Sequence, residues 1–162
     1  MRLAVVQPSI RREWELRRDG EAAATLRPHL FRRGAAAELS GRRLTIKREG
    51  GLRSEYAVRD ATTGEQLARF RPERTHHVLE LGERTVRWRR LGHREGHGFV
   101  GAHGEPLLRA KVSSRIAKTN GEVEVADELP EQEALVAALL AAYLLIRRAE
   151  DASSAGATAA VS

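Results

Sequence analysis

The sequence predicts a mainly β fold: a closed antiparallel barrel of about twelve strands around a central hydrophobic C-terminal α-helix. Three observations predict it. From about residue 13 to 126 the chain runs in short stretches where apolar and polar residues alternate, the period of a half-buried strand. The dipeptide Gly-Glu punctuates these stretches at 20–21, 64–65, 82–83, 104–105 and 121–122. One wholly apolar run, "ALVAALLAAYLLI" at 134–146, stands almost at the end.

Taken in order, strands are expected near 13–18, 21–26, 35–39, 42–48, 54–59 and 66–71, then near 75–81, 84–90, 97–101, 106–112, 115–118 and 122–126. Trp14 and Leu16 alternate with Glu15 and Arg17, Leu44 and Ile46 with Thr45 and Lys47, and Tyr56 and Val58 with Glu55 and Arg59. Val86 and Trp88 alternate with Arg87 and Arg89, and Val123 and Val125 with Glu122 and Glu124, so each strand has one wet face. Glycine supplies the positive φ that tight hairpins need, and "DG" at 19–20 and "NG" at 120–121 are strong hairpin signals.

The apolar run has no polar stripe, so a helix there is buried all round. Pro130, Glu131 and Glu133 suit its start, and Arg147 and Arg148 its end. At 1.5 Å per residue the run covers roughly 20 Å, against the ~30 Å of a hydrocarbon layer, so it falls short of a transmembrane span. Twelve strands, by contrast, close around a lumen, and six-residue strands rise roughly 20 Å, matching the helix as a plug. Residues 1–12 are expected to be a flexible N-terminal segment, 13–148 the barrel with its central helix at 130–148, and 149–162 a disordered tail of small polar residues.

Four stretches carry a family likeness: "WELRRDGEAAATL" at 14–26, "YAVRDATTGEQLARF" at 56–70, "GFVGAHGEPLLRAKV" at 98–112 and "PEQEALVAALLAAYLLIRR" at 130–148. In strand rhythm and final helix the chain resembles the tubby-like barrel superfamily, most of all its small bacterial LURP-one-related and phospholipid-scramblase-like members. The resemblance implies the barrel over residues 13 to 148. It also implies a link to anionic lipid, because tubby proteins bind phosphoinositides and scramblase-like proteins associate with membranes. No lipid-pocket signature of the family is present, so no family binding residue carries over.

Composition narrows the chemistry. The chain has no cysteine, which removes disulfides, thiolate metal sites and Cys nucleophiles together. Its start has four consecutive apolar residues before Gln7 and Pro8, too few for a signal-peptide core, so a cytoplasmic protein, peripheral to the membrane if it meets one, is expected. The formal charge is +6, which favours polyanionic partners, although 25 of the 28 basic residues are arginine, a bias that a GC-rich genome also produces.

No enzymatic motif is found. "GHGFVG" at 96–101 has the glycine spacing of a dinucleotide loop, but a turn and a proline follow where a helix must start, so these are read as turn or bulge glycines. His93, His97 and His103 lack a ligand-spacing motif, and His76 and His77, adjacent in a strand, point to opposite faces. Ser113 and Ser114 have no histidine nearer than His103 in sequence, and Asp19 and Asp60 sit in turns. The expectation is a non-enzymatic module with no cofactor and no metal.

The basic surface is the feature with functional content. "RTVRWRRLGHR" at 84–94 has five arginines in eleven positions. If Val86 and Trp88 face the core, Arg87 and Arg89 face outward, and Ala68 and Phe70 inward put Arg69 and Arg71 outward. These four arginines form a candidate patch for anionic ligands, since guanidinium pairs bidentately with phosphate; the bland alternative is a solvated strand face mixed with acids such as Glu80. Anionic lipid headgroups are the leading partner. Nucleic acid is the alternative, weakened because only seven aromatics exist to serve core and stacking together. A protein-interaction scaffold is the third reading.

Overall fold

In the computed structural model, which describes residues 1–50, 55–92, 95–115 and 118–159, the alternating stretches become strands. They are β1 (Arg2–Val6), β2 (Trp14–Arg18), β3 (Glu21–Pro28), β4 (Gly34–Leu39), β5 (Arg42–Glu49), β6 (Glu55–Asp60), β7 (Gln66–Pro72), β8 (His77–Leu81), β9 (Arg84–Gly92), β10 (Gly96–Val100), β11 (Pro106–Arg115) and β12 (Lys118–Val125), followed by α1 (Glu131–Ala159). Each strand pairs antiparallel with its sequence neighbours and β1 pairs with β12, giving a closed barrel without a free sheet edge. Asp19 and Gly20 both have positive φ, 51° and 88°, the conformation of the two-residue hairpin turn that "DG" signals.

The inward residues of the strands, among them Leu16, Leu26, Leu44, Ile46, Val58, Phe70 and Leu79, make one cluster with the helix. From Ala134 to Ile146 every helical residue is buried except Leu144, which is half-buried. The apolar run therefore fills the lumen. Glu131 and Glu133 face Arg18 and Arg84 at 2.7 and 3.7 Å, which places the helix start at the near mouth, among the turns at 19–20 and 82–83. Arg147 donates to the carbonyl oxygen of His29 at 3.4 Å, so the helix leaves by the far mouth. No described helix is long and apolar enough to cross a membrane.

Three boundaries differ from expectation. Residues 2–6 are not loose: Leu3 and Val5 are fully buried while Arg2 and Ala4 face out, and their strand closes the barrel between β12 and β2. Asn120-Gly121 is not a hairpin turn but lies inside β12, where Gly121 pairs with both Val5 and Val112. A Cβ on Gly121 would sit 2.5 Å from the Lys111 carbonyl oxygen, so close approach of two backbones is what requires glycine there. Of the segment expected at 115–118, Arg115 ends β11 and Lys118 opens β12, which runs on to Val125 through the strand expected at 122–126; residues 116–117, like Ser54 of another expected strand, lie outside the described residues.

The third difference is the tail. Helix α1 continues through Ala149 to Ala159 instead of ending in disorder, and residues 160–162 lie outside the described ones. Glu150 and Asp151 are held by Arg12 at 2.8 Å and Arg33 at 3.0 Å, and the Ser153 and Ser154 hydroxyls donate to the carbonyl oxygens one turn back. Arg147 and Arg148 consequently stand inside the helix at the far mouth rather than at its last turn. Arg147 pairs with Glu150 at 3.1 Å.

Candidate functional site

Strand register decides which outward arginines share a surface. Arg71, Val78, Arg87 and Val100 lie in one row across β7, β8, β9 and β10, and Arg89, Gly98 and Arg109 lie in the next row. Inward of them, Val86 is buried and Trp88 half-buried, as the alternation requires. All four candidate arginines therefore stand on the outer face, but their surroundings divide them.

Arg69 is bound to Glu55, and Arg71 to Glu80 at 2.7 Å and Glu73 at 3.1 Å. The hydrogen bonds that the guanidinium groups donate to these carboxylates raise both arginine pKa values. Their charge is spent locally. Among the described residues neither Arg87 nor Arg89 has an ion-pair partner, and both are exposed. They line an open groove of about 910 Å³ whose walls include His76, His77, Arg90 and the exposed edge of the half-buried Trp88. Arg94, the last of the arginines expected in this region, lies outside the described residues.

Two histidines, His77 and His97, stack on aromatic rings in this region. His77 stacks on Phe70 with ring centroids 5.2 Å apart, and burial, then the neighbouring His76, holds its pKa below the ordinary imidazole value. His97 stacks on Trp88 at 5.6 Å and accepts a hydrogen bond from Arg148 at 2.7 Å. Burial first, then Arg148 and Arg90, lowers its pKa. His76 is tethered to Glu73 at 3.2 Å. Arg87 and Arg89 carry permanent charge into the groove, since a guanidinium does not titrate in the accessible range.

His97 on β10 and His103 in the turn before β11 lie toward opposite mouths, and His93 lies outside the described residues. Among the described residues no group of three or more His, Cys, Asp or Glu side chains is placed to hold a metal ion. Gly96 to Val100 form β10 with a bulge between Gly96 and His97, and no helix follows, so the glycine pattern builds a strand. Asp60 accepts the Thr62 and Thr63 amides at 2.8 and 3.0 Å and the Arg42 guanidinium at 2.8 Å, which makes it the anchor of the β6–β7 turn. Ser113 donates to the carbonyl oxygen of Asn120 at 3.3 Å.

The stacked pairs His77–Phe70 and His97–Trp88 were not anticipated from sequence. Their only signal is period-two placement of an aromatic and a histidine on strands whose register is unknown until the barrel closes. No family model, curated protein or solved structure matches the chain.

Proposed function

We propose that this chain is a non-enzymatic binding module for anionic ligands, with phospholipid headgroups the first of them, working at a membrane surface. The observation that carries the reading is the contrast on one barrel face: Arg69 and Arg71 are neutralised by Glu55, Glu80 and Glu73, whereas Arg87 and Arg89 present unpaired charge into a groove of about 910 Å³. A guanidinium already paired gains little from a phosphate; an unpaired one exchanges only water for it. The tubby-like kinship is proposed alongside, supported by the closed twelve-strand barrel around a C-terminal helix that the resemblance implies.

The test is binding to phosphatidylcholine vesicles with and without phosphatidylserine, across salt concentrations. Binding is expected only to the anionic vesicles and should weaken with salt. Each basic residue near an anionic surface contributes about 1 kcal/mol, so Arg87→Glu with Arg89→Glu should weaken binding roughly thirtyfold or more. Arg69→Gln should change it little. Equal recovery on both vesicle types overturns the reading, and a sequence-selective nucleic-acid complex surviving physiological salt would replace it.

A further inference from the structure

Among the described residues the large hydrophobic side chains that stand exposed are Ile10, Leu30 and Phe31, with Ile10 and Phe31 completely so. They are not scattered. Ile10 lies in the β1–β2 connection and Leu30 and Phe31 in the β3–β4 connection, and both connections cross the far mouth, where α1 leaves the barrel.

The two loops share one build. Each apolar tip is followed by two arginines, Ile10-Arg11-Arg12 and Phe31-Arg32-Arg33. In each, the second arginine is tied back to the emerging helix, Arg12 to Glu150 and Arg33 to Asp151. The first arginine, Arg11 or Arg32, is exposed and has no ion pair among the described residues. A backbone hydrogen bond closes the β3–β4 loop at its base, His29 amide to Gly34 carbonyl at 3.0 Å, and in the β1–β2 loop the Glu13 amide makes a tight turn onto the Arg11 carbonyl at 2.8 Å. Each loop thus holds an apolar point and an unpaired cation outward on a braced stem.

We infer that the far mouth is a docking rim for an anionic bilayer, with Ile10, Leu30 and Phe31 entering the membrane interface and Arg11 and Arg32 meeting its phosphates. Two separate apolar projections, each with its own cation, suit a fluid interface that moulds around points, whereas a protein partner calls for a continuous complementary plate. The rim shares its partner with the reading above but none of its residues.

The absence of cysteine allows clean single-site labelling. Ile10→Cys, Phe31→Cys and, in an exposed turn at the near mouth, Ala102→Cys would each carry an environment-sensitive fluorophore. With phosphatidylcholine vesicles containing phosphatidylserine, emission should shift to the blue at positions 10 and 31 and stay unchanged at 102. Ile10→Ser with Phe31→Ser should lower partitioning onto these vesicles about tenfold or more while leaving thermal unfolding unaltered, since both side chains are fully exposed. Vesicle binding without a shift at 10 and 31, or with an equal shift at 102, overturns the rim.

Water-soluble glycerophosphoserine separates the two sites. A shift at positions 10 and 31 without glycerophosphoserine binding supports the rim and removes the groove. Glycerophosphoserine binding that is lost in Arg87→Glu with Arg89→Glu, in a protein whose rim probes do not move on vesicles, supports the groove and removes the rim.

Discussion

The hydroxyl of Tyr143 accepts a hydrogen bond from the backbone amide of Gly34 at 2.7 Å, joining the centre of the helix to the first residue of β4 inside the barrel. Both residues are buried, and the Tyr56 ring meets Tyr143 edge-on at 5.4 Å. Burial, then the neighbouring Tyr56, pushes the Tyr143 pKa up to about 12.

Tyr143→Phe keeps the ring and leaves the Gly34 amide without a partner in the core. The expected loss is about 1–3 kcal/mol, the desolvation cost of a stranded donor. Urea unfolding should show a lower midpoint with an unchanged slope, and a spectrophotometric titration of the native protein should show Tyr143 un-ionised until near pH 12.

Removing the helix should be far more severe. A chain ending at residue 129 leaves Leu16, Leu26, Leu44 and Ile46 facing an empty lumen, so it should show no cooperative thermal transition. Leu139→Ala, inside an intact helix, should cost about 2–5 kcal/mol, read from the shift in denaturant midpoint.

Asp60 should make the protein acid-sensitive in a defined window. The Thr63 amide first, then Arg42 and the Thr62 amide, hold its carboxyl at about 2, below the ordinary carboxylate value of 3.8. A depressed folded-state pKa gives stability that is complete above the unfolded value and lost as pH falls through the folded one. The contribution should therefore fade between about pH 4 and pH 2, and Asp60→Asn should flatten that part of a stability–pH curve measured by urea unfolding.

Histidine should act earlier in an acid titration. His29, His77 and His97 all have pKa values lowered from 6.5, chiefly by burial, so the unfolded chain takes up protons before the folded one. Their stabilisation is complete above about pH 6.5 and declines below it. Melting temperature should fall from pH 7.5 to 5.5, and His97→Gln should reduce that slope. NMR titration of the imidazole resonances checks the sign directly.

Much of this architecture was legible because a barrel strand writes its two faces into the sequence. Val86, Trp88 and their arginine neighbours, or Val123, Val125 and theirs, are readable without a partner strand. The apolar run at 134–146 likewise had one home once a membrane was excluded by length. β1 escaped because Leu3 and Val5 sit within "LAVV", where an outward alanine hides the alternation, and because its value lies in pairing with residues more than a hundred positions away. Gly121 misled since a glycine required by close backbone approach looks the same in sequence as a glycine required by a turn.

The site was legible only by half. Alternation placed Arg69, Arg71, Arg87 and Arg89 outward, but which of them meets an acid depends on cross-strand register. Glu55 reaches Arg69 and Glu80 reaches Arg71 through pairings that no local window contains. The continuation of α1 past Arg148 was hidden for a related reason: Arg12 and Arg33, which hold its acids, come from loops near the other end of the chain.

The pairing of β1 with β12 also sets an order of events during synthesis. A strand made before the other eleven must wait until they have left the ribosome before its second neighbour exists. Until then the growing sheet carries two raw borders and an unfilled hollow, and its greasy stopper emerges after every strand. A nascent chain stalled before residue 118 should be a good chaperone client, and the seam between its oldest and youngest strands is where assembly is finished.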